Sequence, residues 1–207
     1  MTLSLPRSAL SIAELDDLDH EGAVRFLRAL EEGGHRMVWI PEVAGREAFT
    51  TAALALGSTH RMIVGNGVAR ALERVPKSAA SAARDLAAGY PGRYVLGLGV
   101  SGAVRERGVG PLPFLRDYLD EVDATIARRG GSRAAVPRVL GAYSAGITRL
   151  AAERADGLIT FSSHPSTPAG RARRSGTTCS SRSSNGRWWA ATVPRPAQWR
   201  ANASPTT

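Results

Sequence analysis

Short apolar runs rich in β-branched and aromatic residues recur at a nearly constant spacing through the first 161 residues. They are Arg36–Ile40 (RMVWI), Arg61–Val64 (RMIV), Tyr94–Leu98 (YVLGL), Arg138–Leu140 (RVL) and Leu158–Phe161 (LITF). Their midpoints fall near residues 38, 63, 96, 139 and 159. The mean step is about 30 residues, the length of one βα unit. The runs do not alternate polar with apolar residues. They therefore predict strands buried on both faces, as in a parallel sheet. Met1–Pro6 (MTLSLP) is a weaker candidate for an abbreviated first strand.

The segments between the runs carry helical periodicity. Phe114, Leu115, Tyr118, Leu119, Val122 and Ile126 share one face of Pro113–Arg129, which closes on Gly130-Gly131. Ala23, Phe26, Leu27 and Leu30 form a stripe that stops at Gly33-Gly34, and Pro76 opens a helix with Ala79, Ala83 and Leu86 on one side. Ile147, Leu150 and Ala151 precede a turn at Ala155-Asp156-Gly157. Repeated βα units allow a doubly wound open sheet or a (β/α)8 barrel. A barrel needs about 250 residues. The pattern stops at Phe161 after about six units, so the barrel reading implies an incomplete ring.

The charge divides the chain at the same point. The formal net charge is +9, yet residues 162–207 hold seven arginines, no lysine and no carboxylate. Residues 1–161 are nearly neutral. The tail is rich in Ser, Thr, Pro, Arg and Ala, with Val193 its only Val, Leu, Ile, Met or Phe. It buries too little apolar surface to offset its ordering entropy, so disorder is expected for 162–207. Trp188, Trp189 and Trp199 among the arginines suit stacking on single-stranded nucleic acid. The abrupt change of composition favours instead an unselected tail, such as a shifted reading frame. Nucleic acid therefore ranks last among the partners.

One cysteine, Cys179, excludes an internal disulfide framework and fits a reducing compartment. No apolar run approaches the ~18–20 residues of a membrane span, and no signal-peptide pattern opens the chain. The expected location is cytoplasmic. His20, His35 and His60 have no metal-ligand spacing, and no Ser/His/Asp set suggests a triad. No metal site is expected.

Gly97-Leu98-Gly99-Val100-Ser101-Gly102 satisfies G-x-G-x-x-G directly after a strand. A dinucleotide site needs a helix to open there, and Gly108, Gly110, Pro111 and Pro113 oppose one. Glycines that let a strand end approach a flat cofactor remain open, as does a simple tight loop. Gly65-Asn66-Gly67-Val68 ends another strand with room for a bulge beside a ligand, or for an ordinary turn. Glu42 follows RMVWI at the end where both folds bind ligands, although exposed loop glutamates are common.

Leu30–Glu42 (LEEGGHRMVWIPE), Gly65–Val68, Arg74-Val75-Pro76, Pro91–Val100 (PGRYVLGLGV), Pro137–Ala142 (PRVLGA) and Leu150–Gly157 (LAAERADG) resemble, in this order, successive segments of the luciferase-like flavin and deazaflavin oxidoreductases. The match runs over Ala23–Phe161 and is nearest to members that use coenzyme F420. The resemblance implies a (β/α)8 barrel that binds coenzyme F420, or alternatively FMN, at the C-terminal ends of its strands. It implies hydride transfer to or from a small organic substrate. A bulge at Gly67-Val68, often a non-prolyl cis peptide in this family, would support the ring. Glu42, Asn66, Gly67, Val68, Val100 and Ser101 would line the pocket, with Gly141, Ala142, Tyr143 and Ser144 near the phosphate-bearing tail. The acidic proton donor of some members falls here near Gly102, and the histidine of others falls at Glu42-Val43, so no general acid is implied. The family's last two strands are absent. A non-catalytic remnant with open strand edges, prone to dimerise, is therefore the alternative.

Overall fold

A computed structural model describes residues 5, 6, 8–43, 45–100, 104, 108–128, 130, 132, 135–163, 175–182 and 188–193. The chain alternates strand and helix: β1 (Leu10–Ser11), α1 (His20–Glu32), β2 (Met37–Ile40), α2 (Ala48–Ser58), β3 (Ile63–Asn66), β4 (Ala69–Arg70), α3 (Pro76–Gly89), β5 (Tyr94–Gly99), α4 (Pro111–Arg128), β6 (Arg138–Gly141), α5 (Ala145–Arg154) and β7 (Gly157–Ser163). Two further strands follow, β8 (Ser175–Arg182) and β9 (Trp188–Val193).

Local chemistry sets the helix ends. Asp19 Oδ1 accepts from Gly22 N at 2.7 Å to start α1, and Gly33 caps its end, with Gly34 at φ 85° turning the chain back to β2. The Glu47 carboxylate accepts from Phe49 N and Thr50 N to start α2, and Pro76 is the first residue of α3. Ser144 Oγ accepts from Ile147 N at 3.4 Å at the start of α5.

The sheet order is β1-β2-β3-β5-β6-β7, with β4 continuing β3 alongside β5, and every one of these pairs is parallel. Each strand lies beside its predecessor. A doubly wound sheet would reverse its strand order at a switch point, and none occurs here. The sequential order is that of a (β/α)8 barrel, and with β3 and β4 counted as one this sheet follows it through six parallel strands of the eight. The strands are buried on both faces, as their unbroken apolar runs predict. Leu27, Leu30, Val38, Ile40, Leu56, Val64, Leu96, Leu98, Leu119 and Leu140 belong to the layer between sheet and helices. Met37, Trp39, Val95, Val139 and Ile159 form a smaller cluster on the opposite, inner face.

Most of the expected first strand, Met1–Pro6, lies outside the described residues, and its described part, Leu5 and Pro6, is not in a strand. The first described strand is Leu10–Ser11, which pairs with Val38 and Trp39. Pairing is anchored by Ile12 N donating to Trp39 O at 3.0 Å, and Ile12 and Leu15 then bury beyond it. Within 162–207, where disorder is expected, the described residues are strands: β7 runs to Ser163, β8 pairs antiparallel with it, and β9 pairs antiparallel with β8. The physical reason is the open edge of β7, whose unpaired backbone groups accept any strand-competent segment. The Thr, Val and Trp residues of these stretches favour strands. The rest of the tail lies outside the described residues.

Candidate functional site at the C-terminal rim of the strands

From Gly65, paired with Val95, to Ala69, paired with Leu98, the β3–β4 strand places three residues opposite two of β5. Asn66-Gly67-Val68 is therefore a bulge, and the Gly67–Val68 peptide is cis. The residues around it are small because the chain approaches closely there. A Cβ on Gly97 would lie 1.7 Å from the Asn66 carbonyl oxygen. A Cβ on Gly99 would lie 2.5 Å from a Val68 methyl, and one on Gly141 3.3 Å from it. Val68 thus sits in a notch floored by the glycines of β5 and β6. Below it, the Trp39 ring covers Gly65, where a Cβ would come within 2.2 Å of the ring.

Polar groups hold the bulge from behind. Asn66 is fully buried. Its Nδ2 donates to Ala48 O at 2.9 Å, and its Oδ1 accepts from the Tyr94 hydroxyl at 2.5 Å. Burial pushes the Tyr94 hydroxyl well above its ordinary pKa, so it stays a donor. Glu42, just past β2, has a side chain only 10% exposed. Its Oε1 accepts from Ala48 N at 3.2 Å, and its Oε2 accepts from Arg70 N at 2.6 Å. Both guanidinium nitrogens of Arg74 donate to the same carboxylate, Nη1 to Oε2 at 2.9 Å and Nη2 to Oε1. Arg74 Nη2 also reaches Glu47 Oε1 at 3.1 Å, and Nη1 reaches Arg70 O at 2.7 Å. Burial works against the Arg74 charge, but the bonds and charges of Glu42 and Glu47 outweigh it and raise the Arg74 pKa. Burial likewise opposes the Glu47 charge, yet the amides of Thr50 and Phe49 hold its pKa below the usual value.

The other described site residues lie at the same end of the sheet. Gly141 ends β6 and Ala142, Tyr143 and Ser144 follow it, with Ala142 buried and Tyr143 66% exposed. Val100 follows β5 and is buried in the layer toward the helices. Ser101 lies outside the described residues, and α4 begins at Pro111. Arg74, Tyr94, Glu47 and Trp39 were not singled out for the site. Arg74 had a signal: it stands just before the proline that opens a helix, in a stretch that carries the resemblance. Tyr94 and Trp39 had none, since an aromatic residue in a buried strand looks like core.

A separate cleft of about 550 Å³ lies outside the strands, between Ala71–Pro76 and α4. Val75, Phe114 and Tyr118 are among its walls, and the buried Tyr118 hydroxyl has no hydrogen-bond partner among the described residues. Among the described residues no group of His, Cys, Asp or Glu is placed to hold a metal ion, and no helix is long and apolar enough to cross a membrane.

The sequence profile of the luciferase-like monooxygenases matches residues 11–175. The chain belongs to this family. It is 35% identical over 118 residues to a candidate coenzyme F420-dependent oxidoreductase of Mycobacterium tuberculosis, a match that covers 54% of this chain and 34% of the relative. Among solved structures it resembles the coenzyme F420-dependent tetrahydromethanopterin reductase of Methanopyrus kandleri (TM-score 0.62, 18% identity, 76% of this chain and 56% of that one). It also resembles the oxygenating constituent of 3,6-diketocamphane monooxygenase from Pseudomonas putida, a type II Baeyer-Villiger monooxygenase in complex with FMN (TM-score 0.59, 15% identity, 71% and 54%). The chain thus spans about a third of the curated relative and little more than half of each of these structures. At these identities the two structures speak for the fold. The family and the incomplete (β/α)8 barrel agree with the expectation from sequence.

Proposed function

We propose that this chain carries the cofactor-binding rim of a luciferase-like oxidoreductase. The rim would take coenzyme F420, with FMN as the flavin alternative, and serve hydride transfer to or from a small organic molecule in the cytoplasm. The observation that carries the reading is the Val68 notch at the C-terminal rim, where barrel folds bind their ligands. The identity to a candidate F420-dependent oxidoreductase supports the choice of cofactor.

Such a ring, when bound, supplies a carrier for hydride. The chain's own contribution is shape. Val68 offers an apolar backstop, seated because Gly99 and Gly141 have no side chains to displace it. Val100 and Ser101 would border the ring, and Gly141, Ala142, Tyr143 and Ser144 would face the phosphate-bearing tail. Burial raises the Tyr143 hydroxyl pKa, so this group donates hydrogen bonds at neutral pH. No general acid is assigned, because four donors already occupy the Glu42 carboxylate.

Titration of the full chain against F420 and against FMN, followed by quenching of cofactor fluorescence, tests the reading. Saturable binding with preference for F420 is expected. Binding of neither cofactor at high concentration overturns it. One observation favours a second reading, a non-catalytic relative: β7 is followed by antiparallel β8 and β9 rather than by another parallel βα unit. Cofactor binding without oxidation of the reduced form by any carbonyl or imine acceptor would favour that reading.

A further inference from the structure

We infer that Glu42 is a positioning residue that fixes the bulge carrying Val68, rather than a group that touches the cofactor. The inference rests on the reading of the rim proposed above. Three elements meet at one carboxylate. Glu42 follows β2, its Oε1 binds the first amide of α2 at Ala48, and its Oε2 binds Arg70 N, two residues beyond Val68. Arg74 bonds both oxygens and returns to Arg70 O, so the backbone of Arg70 is gripped at its N–H by Glu42 and at its C=O by Arg74. On the other side of the bulge, Asn66 grips Ala48 O and Tyr94. The same residue, Ala48, therefore anchors both flanks, Glu42 through its N–H and Asn66 through its C=O. Gly67 N completes the frame by donating to Ile40 O at 2.7 Å, two residues before Glu42.

This arrangement leaves the carboxylate without a lone pair in the direction of a ligand. It also explains why an acid stands there: only an ionised carboxylate accepts four donors at once. A neutral Gln presents an NH₂ group to one set of these donors.

The test compares Glu42→Gln with Asp123→Asn in the full chain. Asp123 binds Arg138 and Arg154 at the other end of the strands. Amide hydrogen exchange is read at Gly67 and Arg70, and at Asp156, whose amide donates to Arg138 O. Glu42→Gln is expected to speed exchange at Gly67 and Arg70 about tenfold more than at Asp156 and to weaken F420 or FMN binding about tenfold. Asp123→Asn is expected to do neither, whatever it does to stability. Uniform acceleration at all three amides, or no change at Gly67 and Arg70, overturns the inference. If the wild-type chain binds neither cofactor while Glu42→Gln still loosens the bulge selectively, the positioning role stands and the proposed function falls. Should Glu42→Gln not fold, Arg74→Lys keeps the charge, removes the bidentate grip and is read in the same way.

Discussion

The two ends of the parallel strands are built from the same kinds of polar residues and use them differently. At the N-terminal end, charged side chains bind the ends of elements directly. Arg93 donates to the carbonyls of Leu56, Thr59 and Met62. Glu31 accepts from the amides of His60, Arg61 and Met62. Arg138, 1% exposed, meets Asp123 and the carbonyl of Arg154. At the C-terminal rim, Glu42, Arg74, Asn66 and Tyr94 work from behind, and what faces inward is glycine, valine and backbone. One end closes the fold and the other holds a surface in shape. A barrel's active site lies at the C-terminal face, while its N-terminal face serves stability.

The largest test of that contrast is Gly97→Ala. Its new methyl would lie 1.7 Å from the Asn66 carbonyl oxygen, a backbone atom that cannot rotate away. The bulge must move, at a cost of about 3 kcal/mol or more. Chemical denaturation should show the loss, and any folded fraction should no longer bind F420 or FMN. Wild-type stability with intact binding would mean that the rim is not held rigid.

Asp123→Ala probes the opposite end. It removes the Asp123 carboxylate from Arg138 and leaves the Arg154 carbonyl in place. Removing one partner of a buried pair costs ~3–5 kcal/mol. Because Asp123 is 25% exposed, about 2 kcal/mol is expected here. Cofactor binding should be unchanged. A matching loss of binding would dissolve the division of labour between the two ends.

The sequence carries much of this fold and less of its site, for a physical reason. Strands buried on both faces give unbroken apolar runs, and an amphipathic helix such as α4 gives a stripe, so both appear in a linear pattern. The helix α2 was not picked out by period. Ala48, Phe49, Thr51, Ala52, Ala55, Leu56 and Ser58 are all buried, so several sides are apolar and no single stripe stands out. The rim was found through resemblance, since Gly-Asn-Gly-Val alone is compatible with any turn. The partners of Glu42 could not be read. They come from residues 48, 70 and 74, brought together by the crossing of β2, α2 and β4. The strands β8 and β9 escaped because backbone pairing to an open edge needs no apolar periodicity.

Acid titration separates the base from the rim by a smaller effect. Burial pushes the Glu31 carboxyl upward, but the three amides it accepts from outweigh this and lower its pKa to about 2. The folded-state value lies below the unfolded one. Its stabilisation is therefore complete above the unfolded pKa near 4.5 and is lost as pH falls from there toward 2. About 1–2 kcal/mol should disappear across that window. Glu31→Gln should remove this part of the pH dependence and leave Gly67 exchange at neutral pH unaltered. An unchanged acid limb would assign the sensitivity to other carboxylates.

The smallest effect is expected where a polar group on the rim side has no bond to lose. The Tyr118 hydroxyl is buried in α4 without a partner among the described residues, beside the Arg74–Glu42 pair, and burial lifts its pKa to about 12. A buried, unsatisfied hydroxyl costs free energy that its removal returns. Tyr118→Phe keeps the ring contact with Phe114 and should leave stability the same or raise it by up to about 1 kcal/mol. The same deletion at Tyr94 removes a bond to Asn66 and should destabilise by about 1–2 kcal/mol. Two tyrosine-to-phenylalanine changes, measured by the same denaturation curve, thus differ in sign because only one hydroxyl belongs to the scaffold of the bulge. Equal losses would mean that Tyr118 has a partner too, and that the polar support of the rim extends outward into α4.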